Sequence, residues 1–154
     1  MDYIKDLTKS GSVIIHNLNN SGFNPSEYIS SENAWQIGPW NNGTTANFDA
    51  YMWFKVGAVS NILRITFDIK RHDDKDPKSI QLQYVDGTDV DKLTVLGTSD
   101  SFEVGKDYKK IDIIYRPEHS LTNFGFKLTG YKAADDGTRA FYIRDVKVQQ
   151  LKTP

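Results

Sequence analysis

A two-residue alternation of apolar and polar side chains runs through Ile62-Leu63-Arg64-Ile65-Thr66-Phe67-Asp68-Ile69-Lys70. Successive side chains of a β-strand point to opposite faces of the sheet, so this period predicts a half-buried strand. The apolar residues from Leu63 onward would face a core, and Arg64, Thr66 and Asp68 would face outward. The pattern favours a sheet with one packed face, which is typical of antiparallel sandwiches.

The same period recurs along the rest of the chain. It predicts further strands at 13–18, 48–56, 79–85, 93–96, 101–104, 111–115, 124–131 and 140–151. Turn sequences such as Asp86-Gly87 and Asp135-Asp136-Gly137 separate them. We expect 3–9 to form at most a short helical turn and 28–47 to be a polar loop. About eight to ten strands without a helical crossover predict an all-β, antiparallel β-sandwich with jelly-roll or Greek-key connections.

The composition narrows the classes of function. The chain has 154 residues, with 19 basic and 20 acidic side chains and no cysteine. This length predicts a single domain, 1–154. The balanced charge makes nucleic acid an unexpected partner, and the lack of cysteine excludes thiol nucleophiles, zinc ribbons and disulfides. No apolar run is long enough to insert into a membrane, and residues 1–5 do not match a signal peptide.

All three tryptophans, Trp35, Trp40 and Trp53, fall within positions 35–53. Trp35 and Trp40 lie in polar sequence, where they either close the open end of the sandwich or present flat apolar faces to a partner. Between 48 and 56 the core residues alternate with residues that include Tyr51 and Trp53. Two large aromatic residues on the non-core face of a strand indicate that something covers them. The assignment depends on register, and a bulge would reverse it.

These aromatic residues would suit a ligand with a flat apolar face. A sugar ring has an apolar C–H face that stacks on an aromatic side chain, and hydroxyl groups that bind planar polar side chains. We predict that the stacking residues are Trp35, Trp40, Tyr51 and Trp53. Their predicted polar neighbours are Asp49, Arg64, Gln81 and Gln83.

The second half of the chain carries a recognisable order of features: a basic and aromatic stretch at 104–110, a Pro-bearing loop at 116–120, and Phe124-Gly125-Phe126-Lys127-Leu128. The chain then closes with Phe141-Tyr142-Ile143-Arg144-Asp145-Val146-Lys147-Val148. Together with the stretch at 20–24, this order resembles the carbohydrate-binding modules of the galactose-binding-like jelly-roll superfamily. The resemblance implies a jelly-roll fold and binding of a polysaccharide or oligosaccharide.

The resemblance also implies a structural calcium ion. Many of these modules hold calcium between an N-terminal strand and the second acidic residue of the closing strand, which is Asp145 here. The first acidic residue is replaced by Arg144. Because calcium takes six to eight oxygen ligands, we expect Glu27 and backbone oxygens near 20–24 to join Asp145. The alternative is that Arg144 replaces the ion by neutralising the charge itself.

The leading hypothesis is a non-catalytic domain that binds a polysaccharide. It would belong to a larger protein, as an accessory module of a polysaccharide-degrading enzyme or as a bacteriophage tail or baseplate module that attaches to a bacterial cell-wall saccharide. Its location would be extracellular or virion-associated. The alternative is a structural or protein-interaction domain in a larger assembly. The third hypothesis is a glycosidase whose two carboxylates are Asp49 and Asp68. It ranks last because the short chain lacks the long insertions that would form a cleft.

Overall fold

The computed structural model describes residues 3–6, 13–17, 27–37, 50–71, 79–89, 92–129 and 141–151. Their β-strands are β1 (Tyr3–Asp6), β2 (Val13–Asn17), β3 (Glu27–Ile29), β4 (Ala34–Ile37), β5 (Ala50–Val59), β6 (Leu63–Arg71), β7 (Ser79–Asp86), β8 (Thr94–Thr98), β9 (Phe102–Glu103), β10 (Lys109–Tyr115), β11 (Leu121–Thr129) and β12 (Phe141–Leu151). Within these ranges, no helix is long and apolar enough to cross a membrane.

The strands form two six-stranded sheets. Sheet I has the order β10-β6-β12-β4-β3, with β1 added to β12. Sheet II has the order β2-β5-β11-β7-β8, with β9 added to β7. The pairings are antiparallel, and the chain passes from sheet II to sheet I between β5 and β6. The predicted all-β, antiparallel sandwich with jelly-roll topology is therefore confirmed.

The core lies between the two sheets. Every second residue of β6 in sheet I and of β7 and β11 in sheet II enters it, because alternate side chains share a face. The rings of Phe54 and Phe126 stack with centroids 4.8 Å apart. Burial of each such apolar side chain contributes about 1.5–3 kcal/mol. The largest fully buried side chains of this core are Phe67, Phe124, Phe126, Phe141, Leu63, Ile65, Ile69 and Leu82.

Two sequence predictions near the N-terminus are corrected. Residues 3–6 form strand β1, which pairs with β12, instead of a helical turn. Part of the expected loop at 28–47 forms the hairpin β3–β4, whose turn contains Asn33 at a φ of 50°. Both elements are too short to show a period of their own, and the edges of sheet I supply their backbone partners. Residues 38–47 lie outside the described part of the chain.

Strand β12 contains an irregularity at Arg144–Lys147. The register against β6 shifts there, and Asp145 has a φ of 54°. Aspartate tolerates this left-handed conformation better than most residues, and a bulge of this kind re-aims the side chains beside it. As a result, the Asp145 side chain is exposed.

Candidate functional site

One face of sheet II gathers several of the predicted residues. Alternation in β5, β7 and β11 sends Phe54, Leu82 and Phe126 into the core and their neighbours to the opposite face. We call that opposite face the outer face of sheet II. Its described residues are Trp53, Lys55, Gln81, Gln83, Val85, Gly125 and Lys127.

Backbone register arranges these residues in rows across the strands. Lys127 of β11 is paired with Trp53 of β5 on one side and with Gln83 of β7 on the other. Gln83 is in turn paired with Thr98 of β8. Directly opposed residues have Cβ atoms about 4.5–5.5 Å apart. The row Trp53–Lys127–Gln83–Thr98 therefore places an amine, an amide and a hydroxyl side by side, next to the position of the indole.

Trp53 lies on the predicted face, but the prediction of an exposed stacking residue is wrong. Its side chain is only 2% exposed and packs with Val85 and Leu93 in a small second cluster. The Lys55 ammonium lies 5.5 Å from the centroid of its ring. Neighbouring strands and Leu93 therefore cover the indole, which lies beneath the exposed surface of the outer face of sheet II.

Gly125 makes room for this indole. A Cβ at Gly125 would lie 2.6 Å from Nε1 of Trp53 and 2.7 Å from the carbonyl oxygen of Phe54. The indole therefore lies directly over the β11 backbone. Its Nε1 is buried and has no hydrogen-bond partner among the described residues.

Gln81, Gln83 and Lys127 are half-buried on this face. Nε2 of Gln81 donates to the carbonyl oxygen of Ser99, 3.0 Å away, which fixes the end of β8 to β7. Sequence reasoning missed Lys127. Its alternation with Phe124, Phe126 and Leu128 already indicates an outward residue, but the position of β11 between β5 and β7 is a property of the sheet order.

Two predicted residues lie elsewhere. Arg64 belongs to β6 of sheet I, on the other side of the sandwich from Trp53 of β5, so its prediction as a polar neighbour of Trp53 is wrong. The chain changes sheets between β5 and β6, which the local period does not reveal. Trp35 is half-buried and packs against the core, opposite Ile143 of β12, which agrees with its alternative role of closing the sandwich.

The remaining predicted aromatic and polar residues lie largely outside the part of the chain that the structure describes. Trp40 and Asp49 lie outside the described residues. Tyr51 belongs to β5, two residues before Trp53, and its backbone is paired with His16; its side chain is not described. The sugar-binding roles of Trp40, Asp49 and Tyr51 stay predictions.

The calcium ion predicted at Asp145 and Glu27 also stays a prediction. The described residues contain no group of three or more acidic or histidine side chains placed to hold a metal. The exposed Asp145 carboxylate has Nε of Arg144 at 3.9 Å, so its described surroundings supply a cation instead of further carboxylates. The Glu27 side chain is not described.

On the outer face of sheet I, several charged groups are paired with one another. Arg64 donates to both carboxylate oxygens of Asp112, at 2.6 Å from Nη2 and 3.0 Å from Nε, and these hydrogen bonds lower the pKa of Asp112. Lys70 forms an ion pair with Glu32 at 3.2 Å. Such charge-assisted contacts occupy the groups that a ligand would need.

A further cluster on sheet I surrounds Glu32. The hydroxyl of Tyr108 donates to the Glu32 carboxylate at 2.9 Å, and this bond, followed by that from Lys70, lowers the pKa of Glu32. The Arg144 guanidinium lies 3.6 Å from the centroid of the Tyr108 ring. The aromatic rings of this cluster therefore already have cationic partners.

Comparison with solved structures finds the same fold. A CBM4 structure matches with a TM-score of 0.58 at 14% identity, over 92% of this chain and 81% of that chain. The family 11 carbohydrate-binding module of the cellulosomal cellulase Lic26A-Cel5E of Clostridium thermocellum gives 0.55 at 13%, over 99% and 96%. The CBM22-1 and GH10 modules of xylanase 10B from Clostridium thermocellum, complexed with xylohexaose, give 0.60 at 13%, over 100% and 30%.

The comparison with protein-family models gives no match, and neither does the comparison with curated proteins. At 13–14% identity the structural likeness establishes the fold alone, a two-sheet antiparallel β-sandwich.

Proposed function

We propose that the chain is a non-catalytic module that binds a polysaccharide on the outer face of sheet II. The observation that carries the proposal is the row of Trp53, Lys127, Gln83 and Thr98 across four strands of one face. Adjacent strands lie about 4.8 Å apart, so the row extends roughly 14 Å and matches an extended ligand better than a compact one.

The chemistry of the row supports a hydroxyl-rich ligand. The amides of Gln81 and Gln83 each offer both donors and acceptors, and the Lys127 ammonium offers donors only. Sugar hydroxyls accept and donate in the same way. The buried indole of Trp53 and its neighbour Val85 pack beneath this face and hold its strands rigid, which fixes the positions of the polar side chains.

The structural neighbours support the same class of ligand. Two of them are carbohydrate-binding modules by name, and the xylanase modules were solved with xylohexaose. In that xylanase the matching part belongs to a larger chain that also carries a GH10 module. We propose that the present chain likewise belongs to a multidomain, extracellular or virion-associated protein.

Two settings fit the proposal, and binding preference separates them. An accessory module of a polysaccharide-degrading enzyme would bind plant glucans or xylans. A bacteriophage tail or baseplate module would bind the cell-wall polysaccharide of a bacterial host.

Affinity electrophoresis tests the proposal. We expect the protein to be retarded in native gels that contain at least one of three polymers: mixed-linkage β-glucan, xylan or a Gram-positive cell-wall polysaccharide. Serum albumin in the same gels controls for non-specific retardation. The absence of retardation in all three gels would contradict the proposed function, and hydrolysis of any of these polymers would contradict its non-catalytic character.

A protein-interaction domain is the second candidate. Val95 on β8 is 54% exposed and Ile114 on β10 is 41% exposed, and both strands lie at sheet ends. Exposed apolar residues on edge strands favour contacts with another chain. Concentration-dependent self-association without polysaccharide binding would favour this candidate.

A further inference from the structure

A cleft lies along one side of the sandwich, between the end strands of the two sheets. We call it the edge cleft. It has a volume of about 560 Å³ and is lined by Tyr84 and by two facing stretches, residues 98–102 and 110–114. The first stretch runs from β8 to β9 at the end of sheet II, and the second belongs to β10 at the end of sheet I. This volume is typical of sites that bind small molecules.

Aromatic and aliphatic side chains line part of the cleft and are held firmly. Tyr84 is 6% exposed, and its ring lies 4.3 Å from that of Tyr115. Phe102 is half-buried and contacts Phe67 edge-on, at a centroid distance of 5.8 Å. Ile111 is buried beside them. The cleft therefore has a rigid apolar surface.

The wall formed by residues 98–102 is fixed to β7. The Ser99 amide donates to the carbonyl oxygen of Leu82, and the Ser99 hydroxyl accepts from the Leu82 amide, both at 2.9 Å. The Gln81 amide group adds a third bond to the Ser99 carbonyl oxygen. The chain between β8 and β9 is thus preorganised, so a ligand would lose less affinity to ordering it.

The rim carries hydroxyl groups and charges of both signs. Thr98 and Ser101 are exposed and supply hydroxyls, Asp100 and Asp112 supply carboxylates, and Lys110 supplies an ammonium group. Burial, followed by the proximity of Tyr115 and Asp100, raises the pKa of Tyr84 to about 12, so its hydroxyl stays protonated at neutral pH. Within the described ranges, the Asp100 carboxylate has no ion-pair partner.

The hydroxyl groups and the charges of both signs at the rim disfavour several classes of ligand. A polyanion would meet Asp100 and Asp112, and a polycation would meet Lys110. A peptide strand added to β10 would meet Lys109, Lys110 and Asp112, which are exposed charges of the kind that protect sheet edges from pairing. A neutral ligand with many hydroxyl groups donates to the Asp100 carboxylate, accepts from the Lys110 ammonium group and contacts the apolar surface of the cleft.

The edge cleft is also continuous with the outer face of sheet II. Thr98 ends the row that begins at Trp53, and the same residue lines the cleft. A ligand that follows the row across Gln83 therefore arrives at the cleft.

We propose that the edge cleft is a second saccharide site, which binds a short neutral segment or chain end of the polysaccharide. This inference takes its ligand class from the proposed function. Two linked sites raise the affinity for a polymer above that of either site alone, because binding at the second site is intramolecular.

An amide-resolved NMR titration tests the inference. Isotope-labelled protein is titrated to millimolar concentrations with xylohexaose and, separately, with a β-1,3-1,4-linked glucotetraose. We expect amide shifts at 98–102 and 110–114 in addition to shifts at 81–85 and 125–127. In the variant Ser101→Trp, whose new side chain fills the cleft, the shifts at 110–114 should disappear while those at 125–127 remain.

The matched control is Ser120→Trp, another exposed serine that lines neither site. In the electrophoresis gels we expect Ser101→Trp, and not Ser120→Trp, to weaken retardation by the bound polymer about tenfold or more. Shifts confined to 81–85 and 125–127 would overturn the second site and leave the proposed function intact. Shifts confined to the cleft would uphold it and overturn the assignment of the outer face of sheet II. Shifts at neither place would overturn the second site, and the electrophoresis then decides the proposed function separately.

Discussion

Replacing Trp53 with alanine should lower the free energy of unfolding by about 3–5 kcal/mol, the usual loss for a buried tryptophan or phenylalanine. The side chain is 2% exposed, and its removal leaves a cavity between Val85, Leu93 and the β11 backbone. Strands β5 and β11 contact each other along most of their length and cannot close that cavity without shifting their register. The loss in the free energy of unfolding should therefore be larger than is usual for a residue on the outer face of a sheet.

Urea unfolding followed by circular dichroism measures this change. The matched control is Lys55→Ala, which removes an exposed side chain whose ammonium group lies 5.5 Å from the same ring and should cost about 1 kcal/mol or less. If Trp53→Ala lost no more stability than Lys55→Ala, the indole would be an exposed platform and the account of the outer face of sheet II would be wrong.

Gly125→Ala should be the second most damaging of these substitutions, at about 1–3 kcal/mol. The added methyl group would lie 2.6 Å from Nε1 of Trp53 and 2.7 Å from the Phe54 carbonyl oxygen. The backbone oxygen belongs to the paired strand β5 and cannot move aside cheaply. Relief therefore requires separation of β5 from β11 or displacement of the indole.

Gly105→Ala is the control for Gly125→Ala. A Cβ at Gly105 meets nothing within 4 Å. Alanine there should be neutral or stabilise the protein slightly, by restricting the unfolded chain. Tryptophan emission should shift in the Gly125 variant and stay unchanged in the Gly105 variant. Equal stability of the two variants would show that the indole does not lie against Gly125.

The fold followed from local sequence because the sandwich has one packed face per sheet. Alternation at 62–70 matches β6 closely, since Leu63, Ile65, Phe67 and Ile69 all enter the core. Tyr3–Asp6 was beyond such reasoning, because a four-residue strand has almost no period and takes its conformation from β12.

The site was harder to predict than the fold, because it depends on which strands become neighbours. Gln81, Gln83 and Trp53 lie on the face that alternation predicts for them. Arg64 does not join them, because β6 follows β5 along the chain but belongs to the other sheet.

The burial of Trp53 also depends on residues that are distant in the sequence. Trp53 faces away from the core, yet Val85 and Leu93 from later strands and loops cover it, and Gly125 accepts its ring. Lys127 reaches the centre of the row only because β11, far along the sequence, inserts between β5 and β7.

The two outer faces of the sandwich lead to opposite expectations for ligand binding. On sheet I, Arg64 is bound to Asp112 and Lys70 to Glu32, so a ligand would have to replace short internal contacts. On sheet II, Lys127 and Gln83 lie side by side on paired strands, above the buried indole of Trp53. The central claim is that polysaccharide binds to sheet II and not to sheet I.

A comparison of two double variants tests that claim most directly. One removes Gln83 and Lys127 from the outer face of sheet II; the other removes Gln149 and Lys147, an amide and an amine on the outer face of sheet I. Isothermal titration calorimetry with the retarding polysaccharide measures both. Each lost hydrogen bond costs about 0.5–1.5 kcal/mol, and 1.4 kcal/mol is a factor of ten in affinity. We predict that Gln83→Ala with Lys127→Ala weakens binding about tenfold or more while Lys147→Ala with Gln149→Ala binds like the unchanged protein; a loss of affinity in the second pair, or in neither, would contradict the account.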